Sequence, residues 1–341
     1  MRKSCALALR VLQIFIVLSL YMPVSSIAGV NDLLIIHSYG RHGSFSWVDD
    51  QAKGIKSAFG KTNYKFHEFE LNTKSIPETQ FGEKAKEAYE VVNRLNPRLV
   101  FLTDDNALML MVPQIGKEIP IVFMGVNGNI RFDYPWLLEY PNVTGILERP
   151  LIKRTIYQMK DALSLDLKKV MVIMGTSPTG EAFFKNDLNE QEHFKIVRIN
   201  VDVRRSDNID RWYSWIKTSK KEGYDILIAT NFYALVSSKG NKINVDEVSS
   251  WISKNSPLPT FSVHTGVVGK DKLVGGMIIS GLHMGEAAGQ VALDILEKSI
   301  KTNAIPYKTL ERGQLIFSKQ QLAKWKLSIG KKYLGNVSFV E

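Results

Sequence analysis

Two short apolar runs, residues 99–102 (LVFL) and 119–124 (IPIVFM), lie on either side of a segment with helical character. Continuous runs of Val, Ile, Leu and Phe of this length are typical of strands that are buried on both faces of a parallel sheet. Polar residues follow each run, TDDN at 103–106 and GVNGN at 125–129. Because ligands of open α/β sheets bind outside the carboxyl ends of the strands, the pattern predicts one wall of a binding cleft here.

The same alternation of apolar runs and amphipathic segments continues along the chain and restarts near residue 145. It predicts strands at residues 32–37, 64–71, 99–102, 119–124, 169–174, 194–201, 225–229, 260–263, 273–280 and 314–317. It predicts helices at 46–59, 78–95, 106–115, 151–163, 208–222, 245–254 and 286–298, one that ends near 191 and one from 318. We therefore expect an α/β protein of two doubly wound, parallel-sheet lobes.

The N-terminus has the pattern of a secretory signal peptide. Basic residues at positions 2, 3 and 10 accompany an apolar run at 11–21, and small residues follow at 25–28. An uncleaved membrane anchor is the alternative, but the apolar core of about ten residues is shorter than the ~20 that span a bilayer. The sequence thus predicts that residues 1–28 are removed after Ala28 and that the protein is periplasmic.

Composition narrows the chemistry of the mature protein. The only cysteine, Cys5, lies in the predicted signal peptide, so we expect no disulfide and no thiolate metal site. The formal charge is +10, but the Lys and Arg pairs are scattered and form no single basic run, which indicates a solvated surface and no nucleic-acid partner. His37 and His42 with Asp49 or Asp50 fit the spacing of no particular metal site. No nucleophile elbow, P-loop or zinc-protease motif is present, so we predict no cofactor, no metal and no enzyme activity.

Several stretches together resemble a known family in their order and spacing. They are LLIIHSYG, VFLTDDNAL, IPIVFMGVN, PNVTGILE, VIMGTSPTG and GGMIISGLHMGEAAGQVALDILE, which span residues 31 to 300 with a weaker tail. This combination is similar to the periplasmic substrate-binding proteins of ABC transporters, and also to the related extracellular sensor domains of some bacterial sensor kinases. Transporter members commonly carry an Asp-Pro pair where this chain has 125–129, and the NAL and TPTG-like pieces are closer to the sensor branch.

The resemblance implies the type I periplasmic-binding fold, in which two α/β lobes joined by a multi-strand hinge hold a ligand between them. It places the N-terminal lobe at 29–142 plus 267–300 and the C-terminal lobe at 143–266 plus 301–341. It also implies a monomer that partners a small-molecule ligand and either an ABC permease or a membrane sensor protein.

Side chains at the predicted strand ends are the candidate ligand-binding residues. They are Ser38, Tyr39, Trp47, Asp104, Asn106 and Asn127 from the first lobe, and Thr176, Ser177, Thr179, Asn231, Tyr233 and His264 from the second.

Each candidate also has a purely structural interpretation, which the sequence leaves open. Asp104 could accept hydrogen bonds from an ammonium or hydroxyl group, or cap the following helix. The start of the helix after Thr176 could bind a carboxylate through its free N–H groups, or could simply be capped. Tyr39 and Trp47 could stack on a ligand or belong to the core. His264 could donate to a ligand or serve the fold.

The functional hypothesis is a periplasmic solute-binding protein that captures a small organic, possibly amino-acid-like ligand by hinge closure and delivers it to an ABC transporter. The alternative is a free periplasmic ligand-binding partner of a sensor kinase or cyclase.

Overall fold

The computed structural model describes residues 31–41, 47–149, 151–310 and 313–341. The predicted signal peptide lies outside the described residues. None of the helices within these ranges is long and apolar enough to cross a membrane.

Strands and helices alternate as the sequence predicts. The strands are β1 Asp32–His37, β2 Lys65–Glu70, β3 Leu99–Thr103, β4 Ile121–Val126, β5 Val143–Leu147, β6 Lys169–Met174, β7 His193–Ile196, β8 Ile199–Arg205, β9 Ile226–Thr230, β10 Thr260–Phe261, β11 Gly275–Ile278, β12 Lys308–Thr309, β13 Gln314–Ser318 and β14 Val337–Val340. The helices are α1 Trp47–Phe59, α2 Phe81–Leu95, α3 Asp104–Ile115, α4 Ile152–Ala162, α5 Pro178–Asn186, α6 Ile209–Thr218, α7 Val245–Asn255, α8 Gly281–Leu296 and α9 Lys319–Lys324.

The first sheet is six-stranded and parallel, in the order β12-β5-β4-β3-β1-β2. Successive residues of its strands enter two different hydrophobic clusters. Leu33 and Ile35 pack with α1 and α8, whereas Leu34 and Ile36 pack with α2 and α3. Because side chains alternate across a strand, apolar residues at every position bury both faces of the sheet. This doubly wound arrangement confirms the predicted fold class.

The second sheet has five strands in the order β10-β9-β6-β8-β7, and all neighbours are parallel except β7 and β8. The single strand predicted at 194–201 is wrong, because β7 and β8 form a hairpin that turns at Val197, with φ of 55°. Apolar positions alternate up to Ile196 and again from Ile199, so the two series are out of phase. This change in the phase of the apolar alternation indicates a turn, although no Gly or Pro lies between the two strands.

A third, smaller sheet has the order β11-β13-β14, with β11 antiparallel to β13. Both β5 and β12 pair within the first sheet, although the predicted boundary assigns everything from 143 to 266 and after 301 to the second lobe. One hydrophobic cluster is shared by the first two sheets and includes Leu33, Val170 and α4 residues such as Ile156. The exact extent of each lobe stays a prediction.

Helices α1 and α8 approach each other through glycines. A methyl group at Gly54 would overlap the carbonyl oxygen of Leu282, and one at Gly285 would overlap the carbonyl oxygen of Gln51. The backbones are therefore in contact where these two helices cross over the first sheet.

We expect Gly54→Ala to lower the free energy of unfolding by about 1–3 kcal/mol, because the helices must separate to admit the added carbon. Urea denaturation of the variant measures this loss. Gly82→Ala is the matched control, since Gly82 is exposed on α2 with nothing within 4 Å of the added carbon. Equal stability of the two variants would contradict the close packing.

Candidate functional site

Polar side chains follow five neighbouring strands of the first sheet. In spatial order β5-β4-β3-β1-β2, these residues are Glu148, Asn127, Asp104, Tyr39 and Lys74. Because the strands are parallel, their carboxyl ends share one side of the sheet. We call this group the first strand edge. It contains Tyr39, Asp104 and Asn127 from the sequence prediction, and adds Lys74 and Glu148.

Asp104 has an unusual environment in this edge. Its backbone is left-handed, with φ of 63°, and the residue is only 3% exposed. The indole Nε1 of Trp47 donates to Oδ1 at 3.3 Å, while Oδ2 has no hydrogen-bond partner among the described residues. Burial raises the pKa of this carboxyl to about 7, and the charge of Lys74 opposes the rise. The carboxyl accepts no hydrogen bond from a backbone N–H of the first turn of α3, so the geometry does not support a capping role.

The start of α3 is held by Ser38 instead. The Ser38 hydroxyl donates to the carbonyl of Thr103 at 2.5 Å and accepts from the backbone N–H of Ala107 at 2.7 Å. Asn106 donates to the Thr73 hydroxyl at 2.8 Å, and that hydroxyl donates to the Ser38 carbonyl. Both predicted residues lie at the edge, but these hydrogen bonds connect the loops to one another.

Asp105 shapes the loop after β4. Its carboxylate accepts from the backbone N–H groups of Asn127 and Gly128, at 3.0 and 2.9 Å, and from the Tyr134 hydroxyl at 2.6 Å. Gly125 lies at an irregularity in the register near the end of β4. Its φ of 75° is in a backbone region that residues with a side chain rarely adopt. The two adjacent aspartates therefore have different roles. Asp105 holds the loop after β4 through hydrogen bonds, whereas Asp104 Oδ2 has no hydrogen-bond partner among the described residues.

Three residues at this edge were not among the predicted ones. Glu148 is half-buried and its pKa is raised to about 8, first by burial and then by Asp104 and Asp105. The Lys74 ammonium lies 3.5 Å from the centroid of the Tyr39 ring. Gln51 of α1 is fully buried, and neither its amide nitrogen nor its amide oxygen has a partner among the described residues. Glu148 directly follows β5, which is not among the predicted strands, so the strand-end rule misses it.

The carboxyl ends of the second sheet carry a separate group of polar residues, the second strand edge. Asp207 accepts from the Thr176 backbone N–H at 2.6 Å and from its hydroxyl at 2.7 Å. The Ser177 hydroxyl accepts from the N–H of Gly180, which makes Ser177 the N-cap of α5. Thr179 is half-buried in the first turn of that helix. The capping interpretation thus fits Ser177, whereas Thr176 is hydrogen-bonded to Asp207.

Asn231 and His264 lie together at this second edge. Asn231 is left-handed with φ of 57° and is 2% exposed. His264 Nε2 is 2.9 Å from the Thr230 hydroxyl, and burial lowers the pKa of His264 to about 4, which keeps the imidazole neutral at pH 7. Tyr233 lies in a short 3-10 turn directly after Asn231.

The two edges share one backbone feature. Asp104 follows Thr103 at the end of β3, and Asn231 follows Thr230 at the end of β9. Each is a buried non-glycine residue in the left-handed region. Such conformations cost free energy and cluster at functional sites. Equivalent places in the two sheets therefore carry the same kind of strained polar residue.

Contacts between the two sheets' elements lie beside the first edge. The guanidinium of Arg149 donates to the carbonyls of Val126, Asn127, Glu148 and Gly128 at 2.6 to 3.2 Å. From the end of α5, Asn186 donates to the Asn127 carbonyl at 3.3 Å and Lys185 forms an ion pair with Asp133 at 3.3 Å. The loop that carries Asn127 is thus also held from the second sheet.

The part of the chain that the structure describes contains no cluster of three or more His, Cys, Asp or Glu side chains that could hold a metal ion. The candidate site residues therefore lie at two strand edges, one on each of the two larger sheets.

Several solved structures share this architecture at low sequence identity. CD0873 of Clostridium difficile, a substrate-binding protein in its ligand-free open form, is 16% identical, with 91% of this chain and 99% of that chain covered and a TM-score of 0.63. The ABC domain in complex with L-Trp from Streptococcus pneumoniae is 15% identical, with the same coverage and a TM-score of 0.58. A conserved domain protein from Vibrio cholerae is 13% identical over 92% of this chain and 100% of that chain, with a TM-score of 0.59.

No protein-family model and no curated protein matches the chain. The similarity to the solved structures covers nearly the whole chain. It confirms the predicted type I periplasmic-binding fold, with two α/β lobes.

We expect Asp104→Asn to change how stability depends on pH. The pKa of Asp104 is raised from 3.8 to about 7 in the folded protein, so the folded state holds a proton that the unfolded chain has lost between these values. This carboxyl therefore lowers the free energy of unfolding as pH rises from about 4 to 7, by on the order of a few kcal/mol in total. The variant should gain stability relative to the natural protein over that range and keep a constant advantage above it.

Urea denaturation at pH steps from 4 to 8.5 measures the difference between the two proteins. His37 and His264, whose pKa values are lowered to about 4, act in the opposite direction but equally in both proteins. Asp166→Asn, at an exposed site, is the control and should show no such trend. A difference for Asp104→Asn that does not vary with pH would show that this carboxyl is ionised throughout.

Proposed function

We propose that this protein is a periplasmic, non-enzymatic solute-binding protein that holds a small organic ligand between the first and second strand edges and delivers it to an ABC transporter. The observation that carries the proposal is the first strand edge, in which five neighbouring strands end in polar residues around a buried, strained Asp104 with an unpaired oxygen. A buried polar atom without a partner is costly in a protein that only folds, and a ligand would supply the partner.

The fold supports the same proposal. The structural relatives include a substrate-binding protein in an open, ligand-free form and a protein in complex with L-Trp. A ligand that contacts both edges would bind the closed arrangement of the lobes more tightly than the open one. That difference in affinity is what drives closure.

Elements beside the first edge are suited to such closure. The chain passes from β5 of the first sheet to α4 through Glu148 and Arg149. Arg149 is bonded to the loop with Asn127, and α5 of the second lobe contacts the same loop through Asn186. Movement of the second lobe would therefore displace the loop that carries Asn127, a proposed ligand contact.

A thermal-shift screen of amino acids, amines, nucleosides, sugars and organic acids tests the binding function. We expect at least one class to raise the melting temperature by several degrees, because a ligand at 100 times its Kd adds about 2.7 kcal/mol to the stability. Calorimetry then gives the affinity. Uptake of that labelled ligand by cells with and without this protein tests delivery to a transporter.

Trp47→Phe is a conservative variant, because it keeps an aromatic ring and removes the Nε1 donor to Asp104 together with part of the indole. We expect it to weaken ligand binding at least several-fold and to leave the free protein folded, as circular dichroism and its melting temperature measure. Trp325→Phe, a half-buried tryptophan next to α9, is the matched control. If no solute class stabilises the natural protein, the binding function is wrong.

A further inference from the structure

We infer that the first strand edge recognises a positively charged nitrogen group with N–H donors, a primary ammonium or a guanidinium, on the ligand. This inference rests on the proposed function and names the class of ligand that the site would take.

The first argument is the set of hydrogen-bonding atoms that the fold leaves unused. Asp104 Oδ2, Gln51 Oε1 and Asn127 Oδ1 are buried acceptors without a partner among the described residues. The Gln51 amide nitrogen is an unused donor in the same region. Acceptors thus outnumber donors, so the group that satisfies them must mainly donate. An ammonium carries three N–H donors and no acceptor.

These atoms belong to one place in the fold. A carbon added at Gly125 would lie 2.8 Å from the Gln51 amide nitrogen and 3.0 Å from Asp104 Oδ1, so both side chains meet over this glycine. Asn127 follows two residues later, and its amide nitrogen is directed toward the Gly125 carbonyl and the Asp105 carboxylate. The Asn127 amide oxygen is therefore the end of that side chain left unpaired.

The second argument is charge. The carboxyls of Asp104 and Glu148 act on each other, and Asp105 adds a further negative charge beside them. Lys74 is the cation that acts on both, but its ammonium lies against the ring of Tyr39. Burial of two carboxyls near each other raises the pKa of both, and a ligand cation would relieve this cost. A ligand carboxylate would add another negative charge to this group, whereas a ligand cation would favour the ionised carboxylates that accept its hydrogen bonds.

Tyr39 and Trp47 raise a competing explanation, because aromatic faces also attract cations that have no N–H donors. A trimethylammonium group separates the two possibilities. It carries the same charge as an ammonium and fits an aromatic face, but it cannot donate a hydrogen bond to the unused acceptors.

Isothermal titration calorimetry with matched probes tests the inference on the full protein. The skeletons are 2-phenylethyl and butyl, each as the primary amine, guanidine, alcohol, carboxylate and trimethylammonium compound. We expect the amine or the guanidine of at least one skeleton to bind at least 10-fold more tightly than its alcohol and trimethylammonium partners, and no binding of the carboxylate.

Two conservative variants then locate the interaction. Asp104→Asn and Gln51→Met each remove acceptor capacity at nearly constant side-chain volume, and each should reduce affinity for the best amine or guanidine at least 10-fold. The matched controls are Asp166→Asn and Gln290→Met, both at exposed positions. Circular dichroism and the melting temperature of the free protein show whether each variant is folded.

The outcomes separate this inference from the function it rests on. Tight binding of an alcohol, carboxylate or trimethylammonium compound in preference to its amine would overturn the ammonium site but keep the solute-binding function. Unchanged affinity in both Asp104→Asn and Gln51→Met would place recognition elsewhere in the protein. Failure of every amine and guanidine overturns the inference. The proposed function fails as well only if the wider solute screen also finds no ligand.

Discussion

The parallel register of β1 to β5 is the constraint on which the candidate site depends. His37 of β1 pairs with Thr103 of β3, and Thr103 pairs with Met124 of β4, so the residues after these strands begin at nearly the same level. Helices on both faces bury the sheet and keep that register fixed, because a slip of one residue would exchange the two hydrophobic clusters. The five polar strand ends lie side by side because the apolar residues behind them hold the strands in line.

This scaffold supports local features that would be unfavourable on their own. Asp104 combines a left-handed backbone with a buried carboxyl, and Ser38 and Asp105 stabilise the two loops beside it. Asn231 repeats the backbone strain in the second lobe, where Thr230 and His264 surround it. In both lobes the neighbouring hydrogen bonds hold Asp104 or Asn231 in a left-handed backbone conformation that residues other than glycine do not favour. Backbone strain that the surrounding structure maintains in this way is a common feature of ligand-binding sites.

The sequence predicts the fold well because its signal is the apolar period. The predicted strands are found within a few residues, except at the β7–β8 hairpin, where Val197 turns the chain without a turn-forming residue. The strands β5, β12 and β14 are not among the predicted ones. The strand-end rule also locates Tyr39, Asp104 and Asn127 at one edge. It does not distinguish Asp104 from Asp105, since which carboxylate bonds to the loop depends on the irregularity at Gly125, a tertiary feature.

Gln51 shows most clearly why part of the site is beyond sequence reasoning. On α1 it occupies the buried face, between positions filled by Val48, Ala52 and Ile55. A helical pattern identifies such a position as core and a single polar residue there as an exception. Only the structure reveals that α1 packs closely on α8 through glycines and that the Gln51 amide and the Asp104 carboxyl both lie beside Gly125. The close packing of α1 and α8 therefore also shapes the candidate site, because a wider separation of the two helices would move Gln51 away from the first strand edge.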